Sequence, residues 1–413
     1  MADSPNTPGE SAPDRRPSSP RPQRTGTPKT DEPPIPQSKA LQIFLLIALV
    51  ITGAAYVVNE WVEVTTERAH AKQKSGLHER VQSQSDFLQH TQAGETALAK
   101  KQVHKAISEF TLALQAEKSS DAYQNLGNAL LRQGNLESAF ANFREAIRLN
   151  PRFMAAYSSW GQALNSEGKP EDAVAIYQEA LQRDSDSGII HYNLAVALRQ
   201  MKRALDAAER EAEAEGKTND AAANIDQSKR LAGQALDHYA AASRLGIDSA
   251  EFWNNYGALL NDQGNFSDAE TSLKRAVSED PNLASAQFQL AVAQGRLGNY
   301  AETLAHYEKA LSLTPDDPET LNNLALIYAT ATNNEVRSPK MAVQLATRAC
   351  DATASQNARF MDTLARSYAA DGNFFQAITW EDKAIKRATQ LNEHKLADEF
   401  QARYQLYLNH KTE

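Results

Sequence analysis

Hydrophobic and polar positions divide the chain into three parts. Residues 1–39 contain almost no apolar side chains and hold ten of the sixteen prolines. Residues 41–58 form an unbroken apolar run, LQIFLLIALVITGAAYVV. From residue 87 to 391, apolar residues recur at the spacing of amphipathic helices, and the pattern itself repeats every 33 or 34 residues. The pattern therefore predicts a tail, one membrane span and an array of helices.

The tail is the first predicted segment, residues 1–39. Proline, serine, threonine and alternating charges leave too little apolar surface to offset the entropy of ordering, so we predict a disordered or extended chain. PxxP-like stretches within it are also compatible with binding to an SH3-type module. A solvated tail is the favoured interpretation.

The apolar run predicts a transmembrane helix over residues 40–58. Its eighteen residues from 41 to 58 carry no charge and would rise about 27 Å as a helix, close to the hydrocarbon thickness of a bilayer. Tyr56 and Trp61 lie where an interfacial aromatic anchor is expected. A signal peptide cleaved after Ala69-His70-Ala71 is the alternative, but the region before the run is too long for one. The sequence favours an uncleaved signal anchor.

Positive charges on the two sides of the run predict its orientation. The run is preceded by Arg21, Arg24, Lys29 and Lys39 and is followed by Arg68, Lys72 and Lys74. This bias favours a cytoplasmic tail, with the C-terminal domain in the periplasm of a bacterial inner membrane. The opposite topology, with a cytosol-facing domain, stays open. The polar, helix-compatible residues 59–86 predict a helical connector to the repeats.

The repeated unit is clearest in residues 121–151, DAYQNLGNALLRQGNLESAFANFREAIRLNP. Its diagnostic positions are Tyr123, Leu126, Gly127, Ala139, Phe143, Ala146 and Pro151. These residues resemble the tetratricopeptide repeat, a pair of antiparallel helices. The small Gly127 and Ala139 allow the two helices to cross closely. We expect Tyr123 and Phe143 to fill the groove between neighbouring repeats, and Pro151 to stop the second helix.

Eight copies align on these positions, with first helices starting near residues 87, 120, 154, 188, 250, 284, 318 and 358. The resemblance implies an all-α fold: a right-handed superhelical solenoid of about eight helix pairs over residues 87–391, preceded by the one transmembrane helix. Residues 392–413 continue as one more amphipathic helix, with apolar Leu396, Phe400, Tyr404 and Tyr407. A terminal repeat otherwise exposes its apolar side, so we predict a capping helix.

Two copies depart from the pattern. The fourth contains an insertion of 28 residues, within residues 200–232, and Gly216 to Asn219 is typical of a turn. Both helices of that pair are therefore predicted to be longer by about 14 residues, or four turns. We interpret the added part as a solvated structural spur, with a docking arm as the alternative. In the seventh copy, five extra residues around 333–339 are expected to lengthen a loop.

Carboxamides recur on the first helices, which line the concave face of a repeat solenoid. Two residues before the small Gly or Ala of each repeat, six of the eight positions hold Gln92, Asn125, Asn193, Asn255, Gln289 and Asn323, and the other two hold Ser159 and Thr363. Each amide offers a donor and an acceptor, as a peptide unit does. The resemblance implies that such a ladder binds the backbone of an extended peptide. Solvation of the helix face without a ligand is the alternative.

Composition and charge narrow the range of partners. The chain has 43 Lys and Arg residues and 52 Asp and Glu residues, which gives a net charge of −9. No cluster of basic residues stands out in the sequence, so nucleic acid is not expected as a partner. The expected partners are other proteins or peptides and, through residues 41–58, the lipid bilayer; homo-oligomers through terminal repeats stay open. The single Cys350 excludes an internal disulfide and a multi-thiolate metal site, and we expect it to be a buried thiol.

Catalytic motifs are missing from the sequence. It contains no Walker loop, nucleophile elbow or dinucleotide fingerprint, and the nine histidines show no metal-ligand spacing and are interpreted as surface residues. We expect no enzyme activity, no metal and no other cofactor. The sequence therefore predicts a membrane-anchored scaffold or adaptor for protein–protein interactions. A cytosol-facing receptor or co-chaperone-like protein is the alternative, and an enzyme with an unrecognised site is the least favoured interpretation.

Overall fold

A computed structural model describes residues 37–333 and 335–412, so the predicted tail lies outside the described residues up to residue 36. The described chain contains seventeen helices and no strand, which confirms the all-α prediction. Contacts divide the chain into two compact units, residues 1–80 and 81–413. The second unit consists of helix pairs that follow one another as in a solenoid.

Helix α1 (Gln37–Ala99) contains the apolar run. Its most apolar eighteen-residue window has a mean hydropathy of 2.4, and none of that window is buried. Within the described residues it is the one helix that is long and apolar enough to cross a membrane. Residues 59–86, the predicted connector, are helical throughout. The apolar run and the connector are therefore parts of one continuous helix.

Sixteen further helices follow α1, each joined to the next by a short loop. They are α2 (Val103–Ala116), α3 (Ser120–Gln133), α4 (Leu136–Leu149), α5 (Met154–Ser166), α6 (Pro170–Arg183), α7 (Gly188–Ala214), α8 (Thr218–Arg244), α9 (Ala250–Asp262), α10 (Phe266–Glu279), α11 (Ala284–Leu297), α12 (Tyr300–Leu313), α13 (Pro318–Thr330), α14 (Pro339–Ala352), α15 (Ala358–Ala370), α16 (Phe374–Gln390) and α17 (His394–Leu408). The last turns of α1 pair with α2, and the odd-numbered helices from α3 to α15 are the first helices of the remaining repeats. Their first residues are those that the sequence predicts.

Glycine and proline terminate the helices at the predicted places. Four glycines that follow first helices have φ between 76° and 85°, a conformation that other residues disfavour: Gly134, Gly264, Gly298 and Gly372. Three second helices, α4, α10 and α12, end two residues before a proline: Pro151, Pro281 and Pro315. Local sequence therefore sets the length of most repeats.

Within a repeat, the two helices meet at a small residue. Gly127 on α3 lies against the ring of Phe143 on α4, and a Cβ atom on this glycine would be 2.6 Å from Cε1 of that ring. The core around Phe143 also includes Trp160 of the next repeat, as the sequence predicts. Gly161 on α5 covers the ring of Tyr177 on α6 in the same way. Glycine has no side chain, and the aromatic ring of the second helix fills the space that one would occupy. The two helices can therefore approach closely.

The fourth repeat carries a long arm. Helices α7 and α8 have 27 residues each, against 14 each in α3 and α4, so both gain 13 residues (27 − 14), close to the prediction. The turn at the tip contains Gly216 with φ 73°. Inside the arm, Asp206 on α7 accepts hydrogen bonds from Lys202, at 2.6 Å, and from Ser228 on α8. The bond from Ser228 and the buried Leu231 hold the two helices together.

The tip of the arm contacts the C-terminal helix. Lys395 at the start of α17 donates a 2.8 Å hydrogen bond to Glu213 in the last turn of α7. A cleft of about 440 Å³ lies beside this ion pair, lined by Arg210 on the arm and by Arg359 and Glu399 on the last helices. The arm is therefore solvated along its sides but in contact at its tip, a feature that the spur interpretation did not include.

Helix α17 covers the last repeat, as predicted. Its apolar residues Leu396, Phe400 and Tyr407 are buried, and Tyr404 is half-buried. Cys350 on α14 is also buried, and burial raises the pKa of its thiol to about 12. The prediction of a small buried thiol is therefore confirmed.

A buried ion network joins α17 to α15 and α16. Arg403 Nε on α17 donates a 2.6 Å hydrogen bond to Asp362 Oδ1 on α15, and Arg366 Nε donates a 3.2 Å bond to Oδ2 of the same carboxylate. Glu381 on α16 is fully buried and lies 3.5 Å from Arg403. Burial raises the pKa of Glu381 well above its usual range, and Asp362 raises it further, although both arginines lower it. Glu381 therefore stays protonated in the folded protein near neutral pH.

Replacing Glu381 with glutamine is expected to remove a pH dependence of stability. The pKa of this carboxyl is 4.5 in the absence of its surroundings and higher in the fold, so unfolding above pH 4.5 releases a proton. Its contribution to stability is complete below that pH and decreases as pH rises. The melting temperature of the wild type should fall relative to that of Glu381→Gln between about pH 6 and about pH 8. A difference that stays constant with pH would contradict this account.

Candidate functional site

The six predicted amides occupy equivalent turns of six first helices. Gln92 lies on α1, Asn125 on α3, Asn193 on α7, Asn255 on α9, Gln289 on α11 and Asn323 on α13. Each lies two residues before the small Gly or Ala of its repeat, so the six share one register within their helices. What differs between them is the hydrogen bonding of each side chain.

Four of these amides bond to the preceding repeat. Asn193 Nδ2 donates a 2.8 Å bond to Ser158, and Asn323 Nδ2 donates a 3.3 Å bond to the Tyr307 hydroxyl. Gln289 accepts a 3.1 Å bond from Asn261 Nδ2 through Oε1. The row of amides therefore connects repeats three to seven, a structural role that the peptide-ladder hypothesis did not include.

Asn255 has the most polar surroundings of the four. Its Nδ2 donates a 2.9 Å bond to the hydroxyl of Tyr192, and its Oδ1 accepts a 3.2 Å bond from Arg199 Nη1. Tyr192 and Arg199 both belong to α7, so this amide joins the fifth repeat to the fourth. A carboxamide has two N–H groups and two acceptor lone pairs. Each amide of this kind therefore has at least one N–H group and one acceptor lone pair beyond these bonds.

Gln92 and Asn125 differ from the other amides. Gln92 is exposed and Asn125 is half-buried, and in the described part of the chain neither side chain forms a hydrogen bond. Gln92 lines a shallow cleft of about 320 Å³ together with Gln89 and Lys100. The N-terminal end of the row is therefore the part whose amides are not used in the fold.

Aromatic residues near the amides belong to the core between repeats. Tyr192 packs edge-on to Phe252 of the next repeat, with ring centroids 5.6 Å apart, and Phe252 packs against Trp253 at 4.8 Å. Trp160 lies 6.2 Å from Phe140 of the preceding repeat. These aromatics therefore pack between repeats.

The histidines are not all surface residues. The Nδ1 atoms of His191 on α7 and His238 on α8 lie 2.9 Å apart, and Nε2 of His191 lies 3.0 Å from the carbonyl oxygen of Ser185. Because a carbonyl only accepts, Nε2 of His191 donates and its Nδ1 accepts from His238. Burial lowers the pKa of His238, and His191 lowers it further. The surface interpretation was wrong for this pair because α7 and α8 pack along their whole length.

Family models identify the repeat. A model described as tetratricopeptide repeat matches residues 91–152, 125–187, 159–224 and 221–284, and one described as TPR repeat matches residues 296–331. The chain is a tetratricopeptide-repeat protein. Proteins of this family typically mediate protein–protein interactions. No curated protein matches this tetratricopeptide-repeat protein by sequence.

Several solved structures are similar to the tetratricopeptide-repeat protein at low identity. PilF of Pseudomonas aeruginosa is 15% identical with a TM-score of 0.48, and the match covers 59% of this chain and 98% of that one. YrrB, described as a TPR protein with an unusual peptide-binding site, is 21% identical with a TM-score of 0.39 over 52% and 96%. MamA from Desulfovibrio magneticus is 16% identical with a TM-score of 0.37 over 48% and 97%. At these identities the likeness concerns the fold alone.

Sequence reasoning missed Arg199 in this tetratricopeptide-repeat protein. The residue directly precedes the inserted region, and the repeat alignment gave no reason to select it. Its bond to Asn255 shows that it belongs to the inner face. A search of the first helices for charged residues within three turns of the amides would have found both Arg199 and Arg203.

Proposed function

We propose that this tetratricopeptide-repeat protein is a membrane-anchored scaffold whose first helices bind an extended segment of a partner protein. The observation that carries the proposal is the row of carboxamides at equivalent positions of six repeats, each with hydrogen-bonding capacity left. A peptide backbone presents a donor and an acceptor at each residue, so a row of amides complements it without reading its sequence.

The apolar part of α1 supports the membrane anchor. Large apolar side chains that include Phe44, Leu49 and Val50 are more than 60% exposed, and surface of this kind is unfavourable in water. A bilayer removes it from water and leaves all backbone hydrogen bonds of the helix intact. The anchor would hold bound partners at the membrane, which suits a scaffold.

Alanine at Gln92 and Asn125 is expected to remove partner binding without affecting the fold, since neither side chain has a partner in the described structure. The full-length protein in mild detergent would serve as the bait that captures proteins from solubilised membranes. The Gln92→Ala, Asn125→Ala double variant would be used as bait in a parallel experiment. A matched variant, Gln178→Ala with Gln182→Ala, removes two exposed amides from the second helix α6.

The proposal requires that specific partners are lost with the first variant and retained with the matched one, while both variants melt at the wild-type temperature. If both variants capture the wild-type set of proteins, the amides serve only the fold and the proposal of an inner-face binding site fails.

The opposite topology is the alternative function, a receptor whose repeats face the cytosol. The distribution of Lys and Arg around the span supports the periplasmic orientation by a small margin. A reporter enzyme that is active only in the periplasm, fused after residue 413, separates the two. Activity supports the periplasmic scaffold, and its absence beside an active cytosolic reporter supports the receptor.

A further inference from the structure

The arm of the fourth repeat, residues 201–231 of α7 and α8, ends on a distant part of the solenoid. Glu213 near its tip accepts a 2.8 Å hydrogen bond from Lys395 at the start of α17, 182 residues further along the chain. The cleft of about 440 Å³ beside this pair is lined by Thr218 at the tip and by Arg359 in the first turn of α15. The arm therefore links the fourth repeat directly to the eighth repeat and its cap.

The path of the arm lies on the inner side of repeats five to seven. A solenoid curves with its first helices on the concave face, so a straight line between two separated repeats passes over that face. Helix α7 follows such a line, because it is one helix from Gly188 in the fourth repeat to Ala214 at the tip. The first helices that it passes are α9, α11 and α13, which carry Asn255, Gln289 and Asn323. The arm and these helices thus form the sides of a closed loop.

Between its base and its tip, the arm is not bonded to the repeats that it passes. Arg199, at the base, donates a hydrogen bond to Asn255 on α9. Beyond it, residues 204–228 form no hydrogen bond or ion pair with α9 to α14 in the part of the chain that the structure describes. Arg203, Ala207 and Arg210 on the arm are exposed to solvent. The arm therefore spans the inner face and touches the solenoid at its two ends.

The dimensions of the loop limit what fits through it. Each arm helix is 13 residues longer than α3 (27 − 14), which corresponds to about 20 Å of free arm. An extended chain is about 5 Å by about 10 Å in cross-section. A folded domain of about 100 residues has a radius of gyration of about 13 Å, so it is wider than the free arm is long. The loop therefore admits an extended segment and excludes a folded domain.

The contact at the tip is of a kind that opens readily. The side chains of Lys395 and Glu213 are 85% and 42% exposed, and exposed ion pairs contribute little to stability. Inside the arm, the buried Leu231 and Ala232 hold α8 against α7, so the arm can leave α17 as one unit. Separation of Glu213 from Lys395 then turns the closed loop into an open groove.

We propose that the arm is a strap across the inner face of repeats five to seven, and that the pair of Glu213 with Lys395 is its latch. With the latch closed, this part of the inner face accepts only an extended segment that is threaded under the arm. A partner with a folded domain on each side of that segment enters only when the latch opens. The inference rests on the proposed function for the segment that the strap encloses, but access to the inner face is measurable without a partner.

Cysteine labelling of the full chain in detergent tests the strap. Asn323→Cys places a thiol on α13 under the arm, and Asn125→Cys places one at the equivalent position of α3, outside the strap; both positions are half-buried. Each variant is reacted with N-ethylmaleimide and with a maleimide attached to a folded protein of about 100 residues. The ratio of the two rates measures the exclusion of the folded protein. The native Cys350 is buried with its pKa raised to about 12, so it does not compete.

We expect the folded protein to be excluded from position 323 about tenfold more strongly than from position 125, because a state that is open less than about 10% of the time limits the reaction to that fraction. In the Asn323→Cys chain, Lys395→Glu or Glu213→Lys should remove this difference by placing like charges at the latch. The two changes together should restore it. All these latch variants alter exposed residues and should melt at the wild-type temperature.

Equal exclusion at positions 323 and 125 with an unaltered latch overturns the strap and leaves the proposed function standing, because binding to the inner face is tested separately by partner capture. Exclusion at position 323 that persists in both single latch variants overturns the assignment of Glu213 and Lys395 as the latch.

Discussion

Substituting valine for Gly161 is expected to destabilise the third repeat by about 3 kcal/mol, at the upper end of the usual cost of overpacking. A Cβ atom on Gly161 would overlap Cζ and Cε1 of the Tyr177 ring. That ring is only 1% exposed. The two helices α5 and α6 must then separate, which also disturbs their contacts with the neighbouring repeats. Amide hydrogen exchange in α5 and α6 should accelerate by about a hundredfold.

Gly233 provides the matched control for this substitution. It is an exposed glycine within α8, and no atom lies within 4 Å of a Cβ built on it. Valine at this position should change stability by less than about 0.5 kcal/mol, since valine and glycine differ little in helix propensity. If hydrogen exchange accelerates equally in the Gly161→Val and Gly233→Val variants, the close approach of the helices does not explain why position 161 requires a glycine.

Substituting methionine for Arg403 is expected to release the capping helix. The side chains of Arg403 and Asp362 are 12% and 10% exposed and bond at 2.6 Å, so the change leaves a buried carboxylate with Arg366 as its remaining cation. Breaking a buried ion pair from one side costs about 3 kcal/mol or more. Exchange of the amides in α17 should accelerate by about a hundredfold, while α3 to α6 keep their protection because repeat arrays open locally.

Lys386→Met is the control for charge alone. Lys386 pairs with Asp382 at 2.6 Å on the surface of α16, where the two side chains are 69% and 45% exposed. An exposed pair of this kind contributes less than about 1 kcal/mol, so α17 should keep its protection. Loss of protection in both variants to the same extent would mean that the buried network does not hold the cap.

Much of the fold was predictable because its signals are local. The beginnings of α3, α5 and the later first helices follow from a motif contained within one repeat. Gly134 and Pro151 mark helix ends by their own backbone restrictions. The length of the arm follows from counting residues between Ala195 and Ala235, with Gly216 as the turn. The apolar run of α1 is visible from composition alone.

The candidate site was predictable only in part. Its amides follow from the register of the repeat, so Asn193 and Asn255 lie on first helices as expected. Their bonds to Ser158 and Arg199 were not predictable, since 35 and 56 residues separate the partners and side-chain direction decides the contact.

The sequence by itself determined the helices, the eight repeats, the inserted arm and the apolar segment of α1, because each is encoded within one repeat or one continuous run. Only the tertiary structure decided which side chains meet across repeats. The contact of Glu213 with Lys395 spans 182 residues, and the burial of Glu381 against Asp362 and Arg403 requires three helices in place. The physical reason is that each repeat adds a small rotation, and these rotations accumulate before distant residues come together.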